Sequence, residues 1–166
     1  VQSATSEVTL ENLTFMNNQA VGGTGSTRGG YAIGGAVFTF NSTVTGNNLT
    51  FEGNTATAGS SNGGGRSGDG EFADAQGAAF AAQQHSTVTL SNVTATGNTA
   101  TGGAAPSGNA GGAYGGALYA EEANFAIYDA LISGNLAQGA NGVNDDAPSS
   151  GTGLAEGGGI LTFNSN

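Results

Sequence analysis

The chain has 166 residues and a net charge of −10, with 32 glycines, two prolines, no cysteine and only two basic side chains, Arg28 and Arg66. Bases this scarce cannot neutralise a run of phosphates, which argues against nucleic acid and anionic membrane surfaces as partners, and without cysteine there is neither a disulfide framework nor a thiolate metal site. No stretch of about 18 apolar residues and no basic leader followed by an apolar run is found, so direct membrane insertion is not expected.

The length suits one domain spanning residues 1–166. Glycine-rich, acidic composition can signal disorder, yet only 8% of residues are charged and Val, Ile, Leu, Phe and Tyr recur in phase, which favours an ordered repeat. The recurrence is explicit. Val8–Asn18 reads VTLENLTFMNN, Val44–Asn54 VTGNNLTFEGN, Val88–Asn98 VTLSNVTATGN and Phe125–Asn135 FAIYDALISGN, and the four align without a gap. Glycine-led openings precede the last three at Gly34–Phe40, Gly77–Ala82 and Gly115–Ala120, and Gly157–Phe163 supplies another. The repeat cores are therefore 8–18, 34–54, 77–98, 115–135 and 157–166, and the intervening 19–33, 55–76, 99–114 and 136–156 read as loops.

Within the cores apolar and polar residues alternate, the period of a strand buried on one face. In the second copy Val37 and Phe38 begin one short strand, Thr43 to Thr45 form a second, and Leu49 to Phe51 a third. The expectation is all-β: a right-handed single-stranded parallel β-helix, or β-solenoid, of about four coils with Gly-rich loop insertions. Coils about 4.8 Å apart place equivalent residues on one another. Val8, Val44, Val88 and Phe125 form one interior ladder, Leu13, Leu49, Val93 and Ala130 a second, and Phe15, Phe51, Ala95 and Ile132 a third, with Phe80 the candidate to fill the space left at Ala95. Asparagine recurs at Asn18, Asn54, Asn98 and Asn135, and at Asn12, Asn48 and Asn92 with Asp129 in the fourth copy. Both sets are expected at left-handed corners, where stacked amides can bond along the axis.

GGAV at Gly34–Val37, GGAL at Gly115–Leu118 and the Phe-x-x-Asn runs Phe15–Asn18 and Phe51–Asn54 resemble the GGA[ILV] and FxxN repeats of the polymorphic outer-membrane protein family. The resemblance implies a right-handed parallel β-helix displayed at a cell surface, often as an adhesin, and hence an extracellular or cell-surface location. A chain opening on Val1 rather than Met fits a trimmed segment of an exported protein.

Catalysis is not expected, and with it no cofactor. Polysaccharide-acting β-helix enzymes are the alternative, but they need convergent carboxylates, and the acids here are dispersed. Asp69, Glu71 and Asp74 in one loop and Asp145 and Asp146 in another are the only candidate calcium ligands, at a spacing that matches no calcium repeat. His85, the single histidine, sits in a turn one residue longer than its counterparts. Four N-x-T sites begin at Asn12, Asn41, Asn48 and Asn92, a pattern that corner asparagines followed by alternating strands write automatically. Thr43-x-Thr45 and Thr87-x-Thr89 resemble the ladders of ice-binding solenoids over two coils. The predicted partners are a second copy stacked head to tail into a filament, since uncapped sheet edges invite pairing, or a surface partner met through the loops.

Overall fold

The computed structural model describes residues 6–61, 73–106, 109–142 and 153–165. These residues form strands and turns only. In chain order they are β1 (Ser6–Met16), β2 (Gln19–Val21), β3 (Ala32–Ile33) and β4 (Val37–Phe40); β5 (Ser42–Glu52), β6 (Thr55–Thr57), β7 (Ala75–Gln76) and β8 (Phe80–Gln83). There follow β9 (Thr87–Thr96), β10 (Thr99–Thr101), β11 (Ala113–Tyr114) and β12 (Leu118–Glu121), then β13 (Asn124–Ser133), β14 (Leu136–Gln138), β15 (Ala155–Glu156) and β16 (Ile160–Phe163). Each successive group of four makes one tier. Equivalent strands of the tiers pair in parallel, giving four 4-stranded sheets in the orders β1-β5-β9-β13, β2-β6-β10-β14, β3-β7-β11-β15 and β4-β8-β12-β16.

The registers follow the alternation read from the sequence. Val8 pairs with Val44, Val44 with Val88 and Val88 with Phe125. Leu49 lies between Leu13 and Val93, and Phe51 between Phe15 and Ala95. Burial along these ladders depends on tier: Val44 and Val88 are 3% and 1% exposed, whereas Val8 at the end is 44% exposed. Phe80 is fully buried and meets both Phe51 and Phe125 edge-on, with ring centroids 6.2 and 5.8 Å away. Strand β8 leads directly into the third tier, where the aromatic ladder carries Ala95, and Phe80 and Ala95 belong to one buried cluster.

The two asparagine series differ. Asn12, Asn48, Asn92 and Asp129 have φ of 54°, 55°, 51° and 51° and bend the long strands in the middle. Asn18, Asn54, Asn98 and Asn135 are not left-handed; the residues before them, Asn17, Gly53, Gly97 and Gly134, take that conformation. The expected corner role thus moves back one position, which frees the second series to point inward. Asn54 and Asn98 are fully buried. Asn98 Nδ2 donates to Asn135 Oδ1 at 2.8 Å and to Phe51 O at 3.1 Å, while its Oδ1 accepts from Asn54 N and Nδ2, each at 2.9 Å. The same geometry joins Asn54 to Asn18 and Phe15. Equivalent asparagines are 36, 44 and 37 residues apart along the chain, so the amide ladder holds register across inserts of unequal length.

The segments 19–33, 55–76, 99–114 and 136–156 are not loops throughout. Their first residues form β2, β6, β10 and β14, and their last residues form β3, β7, β11 and β15. Inside these strands the described backbone forms a glycine stem. Gly30 N donates to Gly23 O and Gly59 N to Gly30 O, both at 2.8 Å, and Gly111 N donates to Gly103 O at 2.9 Å. A Cβ on Gly111 would lie 1.8 Å from Ala73 O. Close backbone packing, rather than chain freedom, explains the glycine here.

Candidate functional site: an outward tyrosine, glutamine and carboxylate groove

The glycine that opens each GGA-like motif turns β3, β7, β11 and β15 into β4, β8, β12 and β16. Gly34, Gly77, Gly115 and Gly157 have φ of 63°, 57°, 62° and 61°, a conformation that L side chains rarely adopt. The turn brings the outward rows of two sheets face to face. One row is Ile33, Gln76, Tyr114 and Glu156. Facing it are Phe38, Ala81, Tyr119 and Leu161, flanked by Phe40, Gln83, Glu121 and Phe163. Although they point away from the core, Ala81 is fully buried and Tyr119 is 5% exposed, so the surface between the rows is concave. The rows run along the axis, and the concavity is deepest in the two inner tiers, where Ala81 and Tyr119 lie.

Its middle is fixed by hydrogen bonds. Gln83 Nε2 donates to Gln76 Oε1 at 2.7 Å and to Glu121 Oε2 at 3.0 Å, and Gln76 Nε2 reaches Tyr119 Oη at 3.4 Å. The Tyr114 and Tyr119 rings lie 6.4 Å apart and tilted by 41°. Tyr114 fits because residue 112 is glycine: a Cβ there would come within 2.5 Å of the phenol oxygen. At the first-tier end the Arg28 guanidinium stands 6.0 Å over the Tyr31 ring, and Phe38 and Phe40 are about half exposed.

Burial and neighbouring carboxylates set the protonation. Desolvation pushes the Tyr119 phenol well above the ordinary tyrosine range, with Glu121 adding to it. Desolvation also raises Tyr114, followed by the charges of Asp74 and Glu156. The Asp74 carboxyl is raised by desolvation and partly restored by the Gly112 N–H, which donates to its Oδ1 at 2.7 Å. Both phenols therefore remain hydrogen-bond donors at neutral pH.

Of the residues singled out as possible calcium ligands, Asp69, Glu71, Asp145 and Asp146 lie outside the described residues, and Asp74 is placed beside the groove. Among the described residues no three His, Cys, Asp or Glu side chains cluster as a metal site. His85 is exposed in the longer turn, where Gln84 and His85 both have positive φ, and lines a shallow open depression with Glu122, Ala123, Asn124 and Asn164. Asn12, Asn41, Asn48 and Asn92, which begin the four glycosylation-like triplets, all occupy left-handed turns. The threonine pairs align, Thr43 on Thr87 and Thr45 on Thr89, with Thr9 and Thr45 hydroxyls 3.3 Å apart. Glu7, Asn124 and Ala126 interrupt the array in the end tiers. No described helix is long and apolar enough to cross a membrane.

Sequence reasoning did not find the groove. Gln76 and Tyr114 end two of the inserts, whereas Gln83 and Tyr119 fall within the repeat cores that follow, and the signal that joins them is the glycine in the left-handed turn between. Comparisons with protein-family models, curated proteins and solved structures return no match for this chain.

Proposed function

We propose that the chain is a right-handed, single-stranded parallel β-helix serving as a non-enzymatic extracellular structural module for surface display and adhesion. The parallel stacking supports the winding: each strand reaches its equivalent by a crossover through three other sheets, and parallel crossovers are right-handed in about 98% of cases. The observation that carries the functional reading is the contrast between frame and flank. Ladders of buried asparagine and apolar side chains fix the frame, while the flank holds an ordered, half-exposed aromatic and polar groove beside the insert stems. A rigid frame presenting variable segments and a shaped side surface is what an adhesive module needs. The GGA and FxxN resemblance points the same way.

The test is adhesion of beads coated with the chain to cell and matrix surfaces. Replacing residues 62–72, 107–108 and 143–152 with short Gly-Ser links leaves the described stems and frame in place. Reduced adhesion with an unchanged β-sheet circular dichroism spectrum is expected; adhesion no greater than that of an inert acidic protein overturns the reading.

A second reading, a subunit in a head-to-tail fibre, is favoured by the end tiers. Core ladder residues Val8, Leu13 and Ile160 are 44%, 40% and 43% exposed there, while Leu49 and Leu118 inside are at 1% or less. Such faces call for another tier, supplied by more of the same chain or by a second copy. Electron microscopy and sedimentation over a concentration series distinguish these: growing filaments favour the second copy, and a constant monomer mass excludes it.

A further inference from the structure

We propose that the groove between the outward rows of β7, β11 and β15 and of β8, β12 and β16 binds a neutral saccharide chain lying along the helix axis. The inference rests on the adhesion reading and deepens it by naming a ligand class, adding a binding site on the flank to the contacts made by the inserts.

Three features select this ligand. First, the backbone N–H and C=O groups of the groove floor are consumed between tiers by the parallel ladders. A peptide strand added there finds no main-chain partners, so the ligand is held by side chains alone. Second, the side chains left partly or largely exposed there include Tyr114, Gln76, Gln83, Glu121 and Glu156, beside the apolar Leu161 and Phe163. Tyr114, only partly buried, offers its ring to the C–H surface of a pyranose with the buried Tyr119 beside it, and the amides and carboxylates meet the sugar hydroxyls. Third, the charge is one-sided. Asp74, Glu121 and Glu156 act on the tyrosines, and the chain carries −10 overall, which repels uronate, sulfated and phosphorylated polymers.

The groove is also prepared in advance. The Gln76, Gln83, Glu121 and Tyr119 bonds hold the polar groups in place before a ligand arrives, which lowers the ordering cost of binding. Successive tiers repeat the side-chain rows at about 4.8 Å, close to the length of one sugar ring, so neighbouring sugars meet neighbouring tiers.

The chain has four tyrosines and no tryptophan, and two of them, Tyr114 and Tyr119, lie with their rings 6.4 Å apart in the groove. Intrinsic tyrosine emission is therefore the readout. The folded chain is titrated with neutral gluco-, galacto- and manno-oligosaccharides, with an oligogalacturonate as the anionic comparison, and binding is confirmed by calorimetry. Saturable binding of at least one neutral series is expected, with no binding of the oligogalacturonate. Tyr114→Ala should weaken it about tenfold or more, a typical loss for a central aromatic contact. Glu121→Gln, which keeps the shape and hydrogen-bonding capacity, should change affinity by less than Tyr114→Ala, and Tyr128→Ala on another face should change nothing. If Tyr114→Ala lowers the melting temperature, Gln76→Ala replaces it with the same expectation.

No binding of any neutral series at millimolar concentration, equal binding of the anionic one, or affinity unaltered by both Tyr114→Ala and Gln76→Ala overturns the proposal. Retained bead adhesion without saccharide binding defeats this inference alone. Saccharide binding without bead adhesion defeats the adhesion reading alone.

Discussion

Replacing Asn98 by alanine probes the buried amide ladder at its best-enclosed rung. The side chain makes four hydrogen bonds, donating to Asn135 Oδ1 and Phe51 O and accepting from Asn54 N and Nδ2. Two of the four partners keep an alternative: Asn54 Nδ2 still donates to Phe15 O, and Asn135 Oδ1 still accepts from Asn98 N. The Asn54 N–H and the Phe51 carbonyl lose this contact in a site that water does not reach. Leaving a buried polar group unmade costs about 1–3 kcal/mol, so with two such groups the variant should lose about 2–6 kcal/mol. At roughly 2–4 °C per kcal/mol for a chain of this size, the melting temperature falls by roughly 4–24 °C. Asn18→Ala is the matched control. Asn18 is exposed and its side chain donates to Asn54 Oδ1, so water replaces what is lost and the cost stays below about 1 kcal/mol. Urea denaturation followed by circular dichroism measures both. Equal costs for Asn98→Ala and Asn18→Ala would refute the claim that the enclosed ladder locks the tiers together.

Phe80→Ala empties the space that its ring fills between Phe51 and Phe125 and should cost about 3–5 kcal/mol in the same denaturation assay. Gly111→Ala forces a methyl against Ala73 O; the expected loss is about 1–3 kcal/mol, with amide exchange increasing first in the stem. Asp74→Asn should stabilise the chain at neutral pH. Because the Asp74 carboxyl is raised in the folded state, folding favours its protonated form, and its penalty grows as pH rises through the folded value. Melting temperatures across pH should show the gain at pH 7 and its disappearance once the carboxyl is protonated in both states.

The ladders were legible in the sequence because strict alternation in Val8–Asn18 and its three equivalents leaves one register that buries Val44, Leu49 and Phe51 together. Even the exception was visible, since Phe80 stands where the other openings carry Val37, Leu118 and Ile160. Strands β2, β3 and their equivalents were not legible. Runs as short as Ala32–Ile33 or Ala113–Tyr114 contain too few residues to express a period, and neighbouring tiers rather than propensity hold them extended. The asparagine roles were separable only by a finer signal: glycine precedes Asn54, Asn98 and Asn135 and takes the left-handed φ itself. The groove stayed hidden for a geometric reason. Gln76 and Gln83, or Tyr114 and Tyr119, lie on different strands with outward phases that read as ordinary solvent-facing positions. Only the reversal at Gly77 or Gly115 turns those positions toward each other.

The parallel, in-register stacking of tiers can be tested by disulfide trapping, because the native chain has no cysteine. Thr45 and Thr89 are Cα partners on β5 and β9, and Thr87 is the partner of Thr43, two residues away on the same face. Parallel neighbours about 4.8 Å apart fall within disulfide reach, whereas a pair offset by two residues lies roughly 8 Å apart and beyond it. Thr45→Cys with Thr89→Cys should oxidise to an intramolecular disulfide under mild conditions, and Thr45→Cys with Thr87→Cys should stay reduced. Preferential cross-linking of the offset pair, or equal cross-linking of both, would contradict the register on which the frame, the asparagine ladder and the groove all depend.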